Sequence, residues 1–179
     1  VKALNKCKSK RHPAKEIYAG DHWAVVRSIE NRVSDVDIYI CSAGYGLISL
    51  NDESVPYSAT FSLGRPDSVS NDPAKSQPST ARRSWWGCLT SGESVLKSRR
   101  CRSITELASQ TPRSGLLVAA SGNYLDAIYD DLSLAAKVLG DPRRLSIISA
   151  GTKTLGELTS FLAPCDARLQ AVVGGVRMS

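Results

Sequence analysis

The sequence predicts a single α/β domain over residues 1–179, built in three layers with a mostly parallel central sheet and helices on both faces. Three observations predict it. Short apolar runs of strand length alternate with longer amphipathic segments, most clearly across residues 115–150. The runs end in polar, glycine-bearing turns such as Ser42-Ala43-Gly44 and Ser121-Gly122-Asn123, which suit strand-to-helix connections. A chain of 179 residues with 42% hydrophobic content has enough apolar surface for one core and too little length for two independent domains.

Taken in order, residues 1–4 read as a first strand that runs into the polar turn from Asn5 to Lys10. Trp23, Val26, Ile29 and Val33 have helical spacing after Gly20-Asp21 and predict a helix. Residues 36–43 read as a buried strand that stops at Gly44-Tyr45-Gly46. Residues 51–79 are rich in Ser, Pro, Asp and Asn and form a long excursion, of the kind that is usually functional or disordered. Residues 80–110 look helical in pieces, with Trp85-Trp86 in one piece and Ile104, Leu107 and Ala108 in another. Residues 115–120 make the clearest buried strand. The clearest helix follows it: Leu125, Ile128, Leu132, Ala135, Ala136 and Leu139 share one face, with Asp126, Asp130 and Lys137 directed outward. Asn123 suits the N-cap, with Asp126 three residues on, and Gly140-Asp141-Pro142 ends the helix. A strand at 145–150 and a helix near 155–162 complete the pattern.

No apolar run approaches the roughly 18 residues a membrane helix needs, and the basic start lacks the apolar stretch of a signal peptide, so a cytoplasmic protein is expected. The five cysteines are scattered and form no C-x-x-C pair, and His12 and His22 are the only imidazoles. Neither a disulfide framework nor a metal site is expected. The dinucleotide, P-loop and G-x-S-x-G motifs are all missing, so no cofactor is expected and a serine hydrolase is disfavoured.

The formal charge of +6 is concentrated in blocks. Residues 1–20 hold six basic side chains against one acid, and residues 75–113 hold eight against two, whereas residues 21–74 hold three against eight. A polyanion is the natural partner for such blocks, the alternative being a solvated basic surface. DNA is the expected partner, with RNA left open. Lys8, Lys10, Arg82, Arg83, Arg99 and Arg100 are the candidate phosphate contacts. Trp85 and Trp86 suit stacking on nucleic acid, although neighbours on a helix point in different directions and at least one of them belongs to the core.

In a parallel sheet, ligands bind beyond the carboxyl ends of the strands. Four such ends are Asn5 to Lys10, Ser42 to Gly46, Ser121 to Tyr124, and Ser149 to Thr152. The helix starting near Asn123 would aim N–H groups and the positive end of its dipole at that rim, and Gly122 would permit close backbone approach. Chemistry on a base needs aromatic faces, groups for a base edge, and an amide or carboxylate that positions water. Tyr45, Gly46, Tyr57, Gly122, Asn123, Tyr124 and Ser149 are the candidate substrate contacts. Asn5 and Asp52 are the candidate catalytic residues, Asp52 because it follows the Tyr-Gly-Leu stretch closely.

The series Cys7-Lys8-Ser9-Lys10, Pro13-Ala14, Tyr18-x-Gly20, Ser42-Ala43-Gly44-Tyr45-Gly46-Leu47-Ile48 and Pro56-Tyr57-Ser58-Ala59-Thr60 resembles a bacterial family related to the YaaA-like group. That group is a distant branch of the uracil-DNA glycosylase fold, which also occurs in archaeosine synthases. Ser121-Gly122-Asn123-Tyr124 with Asp131-Leu132, Ser149-Ala150-Gly151 and Gly174-Gly175 fit the same pattern. The resemblance implies a uracil-DNA glycosylase-like fold and an enzyme acting on nucleic-acid bases. The best-fitting type of member is an antiphage DNA glycosylase that excises a sugar-decorated cytosine and leaves an abasic site. It also implies a water-orienting role for Asn5, just after the first strand, and a substrate-specific role for residues 64–102, which match nothing in the pattern. In the domain plan, the basic excursion spans about 64–113. The alternatives are a non-catalytic nucleic-acid-binding module or a component of tRNA base modification.

Overall fold

The computed structural model describes residues 9–71, 77–91, 100–149 and 155–163. The expected first strand, with Asn5 and Lys8, lies outside these residues, as does Arg99.

The best-formed unit is β-α-β. Strand β5 (Leu116–Ala119) leads into helix α5 (Gly122–Leu139), and a 3-10 turn at Pro142–Arg144 returns the chain into β6 (Leu145–Ile148), parallel to β5. The apolar stripe read from the sequence is the buried one: Leu125, Ile128, Leu132, Ala135 and Leu139 all face the core. Gly140 stops the helix in the left-handed conformation, φ 68°, with its N–H on the Ala136 carbonyl. This is the usual glycine C-cap. At the other end Ser121, not Asn123, holds the N-cap position, and it makes no side-chain cap bond. Beyond β6, Leu162 pairs in parallel with Ile147, and the Ala163 N–H donates to the Ile147 carbonyl at 2.8 Å, so the chain continues the parallel sheet on that side. The second face of β5 is open among the described residues, with Leu117 66% exposed, contrary to a strand buried on both sides.

Helices α3 (Pro78–Ser91) and α4 (Ile104–Gln110) pack against α5. Ser103 caps α4, accepting from Glu106 N–H at 3.0 Å. Asp131 of α5 adds a second cap from outside: its carboxylate accepts from the N–H groups of Ile104 (2.9 Å) and Thr105 (3.0 Å) and from the Trp86 indole (2.9 Å). One side chain thereby ties three helices together. Asp126, read as outward-facing, is 2% exposed and forms a buried pair with Arg82 of α3, whose Nε lies 2.8 Å from the carboxylate. The helical period places Asp126 off the apolar stripe, but α3 covers that flank.

The first half of the chain is built on antiparallel pairs. A two-residue strand β1 (His12–Pro13) meets β4 (Glu53–Ser54). Helices α1 (Ala14–Ile17) and α2 (Asp21–Arg32) follow β1. Where the sequence suggested one buried strand ending at Gly44, the chain forms a hairpin of β2 (Tyr39–Ser42) and β3 (Gly46–Ser49). Among the described residues the strands thus make three two-stranded ladders, of which β5–β6 alone is parallel. Ala14, Tyr45, Ile48 and Val55 form a small second core, separate from the main one around α5.

Candidate functional site

The Ser42–Gly46 pair closes a three-residue turn, Ala43-Gly44-Tyr45, at the hairpin tip. Gly46 is required there twice over. Its φ of 77° is left-handed, and a Cβ would sit 3.3 Å from the Leu89 side chain of α3. Beneath the turn the Ser42 hydroxyl accepts from the N–H groups of Gly44 (3.3 Å) and Tyr45 (3.2 Å). It also completes a triangle of hydroxyls: Ser42 to Tyr57 is 2.6 Å, Tyr18 to Ser42 is 3.0 Å, and Tyr18 to Tyr57 is 3.0 Å. Tyr18 donates to Ser42, so the arrangement that gives each hydroxyl one donated bond has Ser42 donating to Tyr57 and Tyr57 to Tyr18. Burial holds the Tyr18 phenol far above the usual tyrosine range, with the neighbouring Tyr57 phenol adding to the effect. It therefore remains a neutral donor at physiological pH.

Tyr57 lies against Gly44, where an added Cβ would be 2.6 Å from its ring. From α5, Tyr124 meets Phe61 edge-on at 5.1 Å, and its hydroxyl is within reach of Thr60 and the Phe61 backbone. Burial raises the Tyr124 pKa, with the Tyr57 phenol adding to the shift. At the carboxyl edge of the parallel pair, the Ala120 N–H bonds the Ile148 carbonyl at 3.1 Å. That register brings the Ser121-Gly122-Asn123 turn beside Ser149. Of the expected substrate contacts, Tyr57 lies at the hairpin tip beside Tyr45, at 5.3 Å between rings, Tyr124 packs on Phe61 at the start of α5, and Gly122, Asn123 and Ser149 lie at the carboxyl edge of the β5–β6 pair.

Tyr45 and Gly46 belong to the tip itself, Tyr45 meeting the Tyr57 ring edge-on, while the remaining expected residues lie elsewhere. Tyr45 is a core post: its hydroxyl both donates to the Val55 carbonyl and accepts from the Val55 N–H, each at 3.0 Å. Gly46 lies against Leu89 of α3. Asp52 sits past the opposite end of the hairpin, where its carboxylate accepts from the Ser49 N–H at 2.8 Å. Strand β3 carries it away from the tip. Of the phosphate candidates, Arg82 is 6% exposed and bound to Asp126, which removes it from the surface. Arg83 reaches Asp126 and Asp130 at 3.3 Å and stacks on Tyr129 at 4.3 Å. Arg100 is exposed, 3.7 Å from Asp37, and Lys10 is exposed. The sequence list of contacts omitted Tyr18, Ser42 and Thr60. Their sequence signals are their places in the Tyr18-x-Gly20, Ser42-Ala43-Gly44 and Pro56 to Thr60 motifs and a density of hydroxyls there.

Below the tip, burial pushes the Cys41 thiol up to about 12, and the nearby Asp131 carboxylate adds to the shift. Cys41 and Tyr18 both bind their protons more tightly folded than unfolded. Their contribution to stability is complete below the unfolded values, roughly 8.5 for Cys and 10 for Tyr, and is lost as pH rises toward the folded ones. Urea midpoints are therefore expected to fall between pH 8 and pH 10.5, and Cys41→Ser with Tyr18→Phe should flatten that fall. An equally steep fall in the double variant would contradict this assignment.

Among the described residues no group of side chains is arranged to hold a metal ion, and no helix is long and apolar enough to cross a membrane. No family model, curated protein or solved structure matches the chain.

Proposed function

We propose that the protein acts on nucleosides within a nucleic acid: a DNA glycosylase of the uracil-DNA glycosylase-like kind that flips a modified base from the duplex and hydrolyses its N-glycosidic bond. Defence against phages with modified DNA is the setting this activity suits. The observation that supports it most is the Tyr18–Ser42–Tyr57 cluster of hydroxyls at the hairpin tip, with the Tyr57 ring lying against Gly44. Aromatic faces hold a flipped base by stacking, and hydroxyls that both donate and accept suit a base edge. In the reaction the bond from C1′ to the base nitrogen breaks and its electron pair leaves with the base. The neutral Tyr18 phenol and the Tyr57 hydroxyl bonded to it, together with the positive end of α5, stabilise that developing negative charge. Water adds to the sugar cation at C1′ and its proton passes to the departed base, leaving an abasic site and a neutral free base. Asp52 lies at the far end of the hairpin, and the resemblance gives the water-orienting role to Asn5, which lies outside the described residues. The net charge of +6 favours a polyanionic substrate.

One observation favours the second reading, a binding module without catalysis: the three hydroxyls already satisfy one another. Incubating the protein with unmodified and hypermodified phage DNA, then scoring alkali-labile abasic sites and released bases, separates the two. The glycosylase reading expects lability on modified DNA. Salt-sensitive binding with no lability on either DNA, at high protein concentration, leaves only the module.

A further inference from the structure

Trp85 and Trp86 are neighbours on α3 with opposite fates. Trp86 is 2% exposed and donates its indole N–H to Asp131 within the core. Trp85 is 38% exposed, yet it is not a loose surface ring: its indole N–H donates to the Ala43 carbonyl in the hairpin tip at 2.8 Å. One turn on, Leu89 packs against Gly46, so Trp85 and Leu89 together fix α3 across the tip. The Ala43-Gly44-Tyr45 turn is thus touched by the Trp85 indole at Ala43 and by the Tyr57 ring at Gly44.

This geometry restricts what the exposed part of Trp85 offers. Its single donor is already used, so what remains exposed of the ring is aromatic carbon, held in orientation by that bond. A flat, unsaturated partner gains most from such a surface. Helix α3 has no Asp or Glu along its length, and the chain carries +6, so an anionic strand meets no repulsion from this element. We infer that Trp85 is a stacking platform for an unpaired nucleobase of a DNA strand, next to the one received at the hairpin tip. The inference rests on the proposed action on nucleic acid and adds the strand contact just outside the pocket. Sequence tolerance follows, because every base presents a π face.

The test uses the full chain and a fluorescein-labelled single-stranded 12-mer oligodeoxynucleotide at fixed ionic strength. Fluorescence anisotropy is expected to show binding by wild type, a loss of roughly tenfold in Trp85→Ala, and near-wild-type affinity in Trp85→Phe, which keeps a stacking ring but not the N–H. Matching circular dichroism spectra establish that the variants fold. Iodide quenching of wild-type tryptophan emission gives a readout independent of any variant. Trp23 and Trp86 are buried, so the iodide-accessible emission is that of Trp85, and bound oligonucleotide should protect it. Wild-type affinity in Trp85→Ala, or unchanged iodide quenching with oligonucleotide bound, overturns the platform while leaving abasic-site formation as the separate measure of the proposed activity. No binding by wild type, together with no abasic sites, overturns both.

Discussion

Asp126→Ala is expected to lower the free energy of unfolding by about 3–5 kcal/mol, a large part of the 5–15 kcal/mol typical of a domain. The Arg82 guanidinium is 6% exposed, and Asp126 accepts from its Nε and Nη2, while Nη1 is already buried without a partner. Removing the carboxylate leaves a full positive charge inside the α3–α5 interface, with almost nothing to solvate it. Arg83 would keep Asp130 and the Tyr129 ring, so the loss centres on Arg82. The cost belongs to the stranded charge rather than to any large net strength of the pair. The double variant Arg82→Met, Asp126→Leu should therefore recover most of the stability. Urea unfolding followed by circular dichroism measures both. An Asp126→Ala midpoint near that of wild type would show that the pair is solvated rather than buried.

Gly44→Ala is expected to disable the tip site while leaving the fold standing. An alanine Cβ would lie 2.6, 2.7 and 2.9 Å from three atoms of the Tyr57 ring, closer than such contacts are ever made, so the ring must move. Its hydroxyl is tethered to Ser42 and Tyr18, and the movement breaks that triangle. Overpacking of this kind costs about 1–3 kcal/mol. The functional loss should be larger, because both an aromatic wall and the hydroxyl bonded to Ser42 shift away. Gly87→Ala is the matched control: no atom lies within 4 Å of its Cβ, and it sits inside α3. Exchanging glycine for alanine there should raise stability by up to about 1 kcal/mol. Equal binding and activity in Gly44→Ala and wild type would mean that Tyr57 has no part in the site.

What could be read from the sequence follows from which forces are local. Helix α5 was legible because a continuous 3.6-residue stripe from Leu125 to Leu139 matches its buried face. Asp126 was misread because its burial comes from α3, more than forty positions away, and no period within α5 encodes it. The hairpin had a local signal that was read otherwise: a short glycine-bearing turn between Ile40-Cys41 and Leu47-Ile48. Treating Gly44-Tyr45-Gly46 as the rim of a parallel sheet also misplaced Asp52, which about 10 Å of strand separates from the tip. Tyr57 and Tyr124 were legible by residue type and position. The Tyr18–Ser42–Tyr57 triangle was not, since its members are joined only by the folding of separate segments. Of the adjacent tryptophans, helical geometry required at least one in the core, but did not say that Trp86 is the buried one and Trp85 the exposed one.

The measurement that bears most directly on the tip as a base-processing site compares wild type with Gly44→Ala on one hypermodified DNA, quantifying released base by mass spectrometry and abasic sites by alkaline cleavage. Base release by wild type that falls at least tenfold in Gly44→Ala, with both proteins folded, is the predicted result. No release by either protein, or equal release by both, would contradict it.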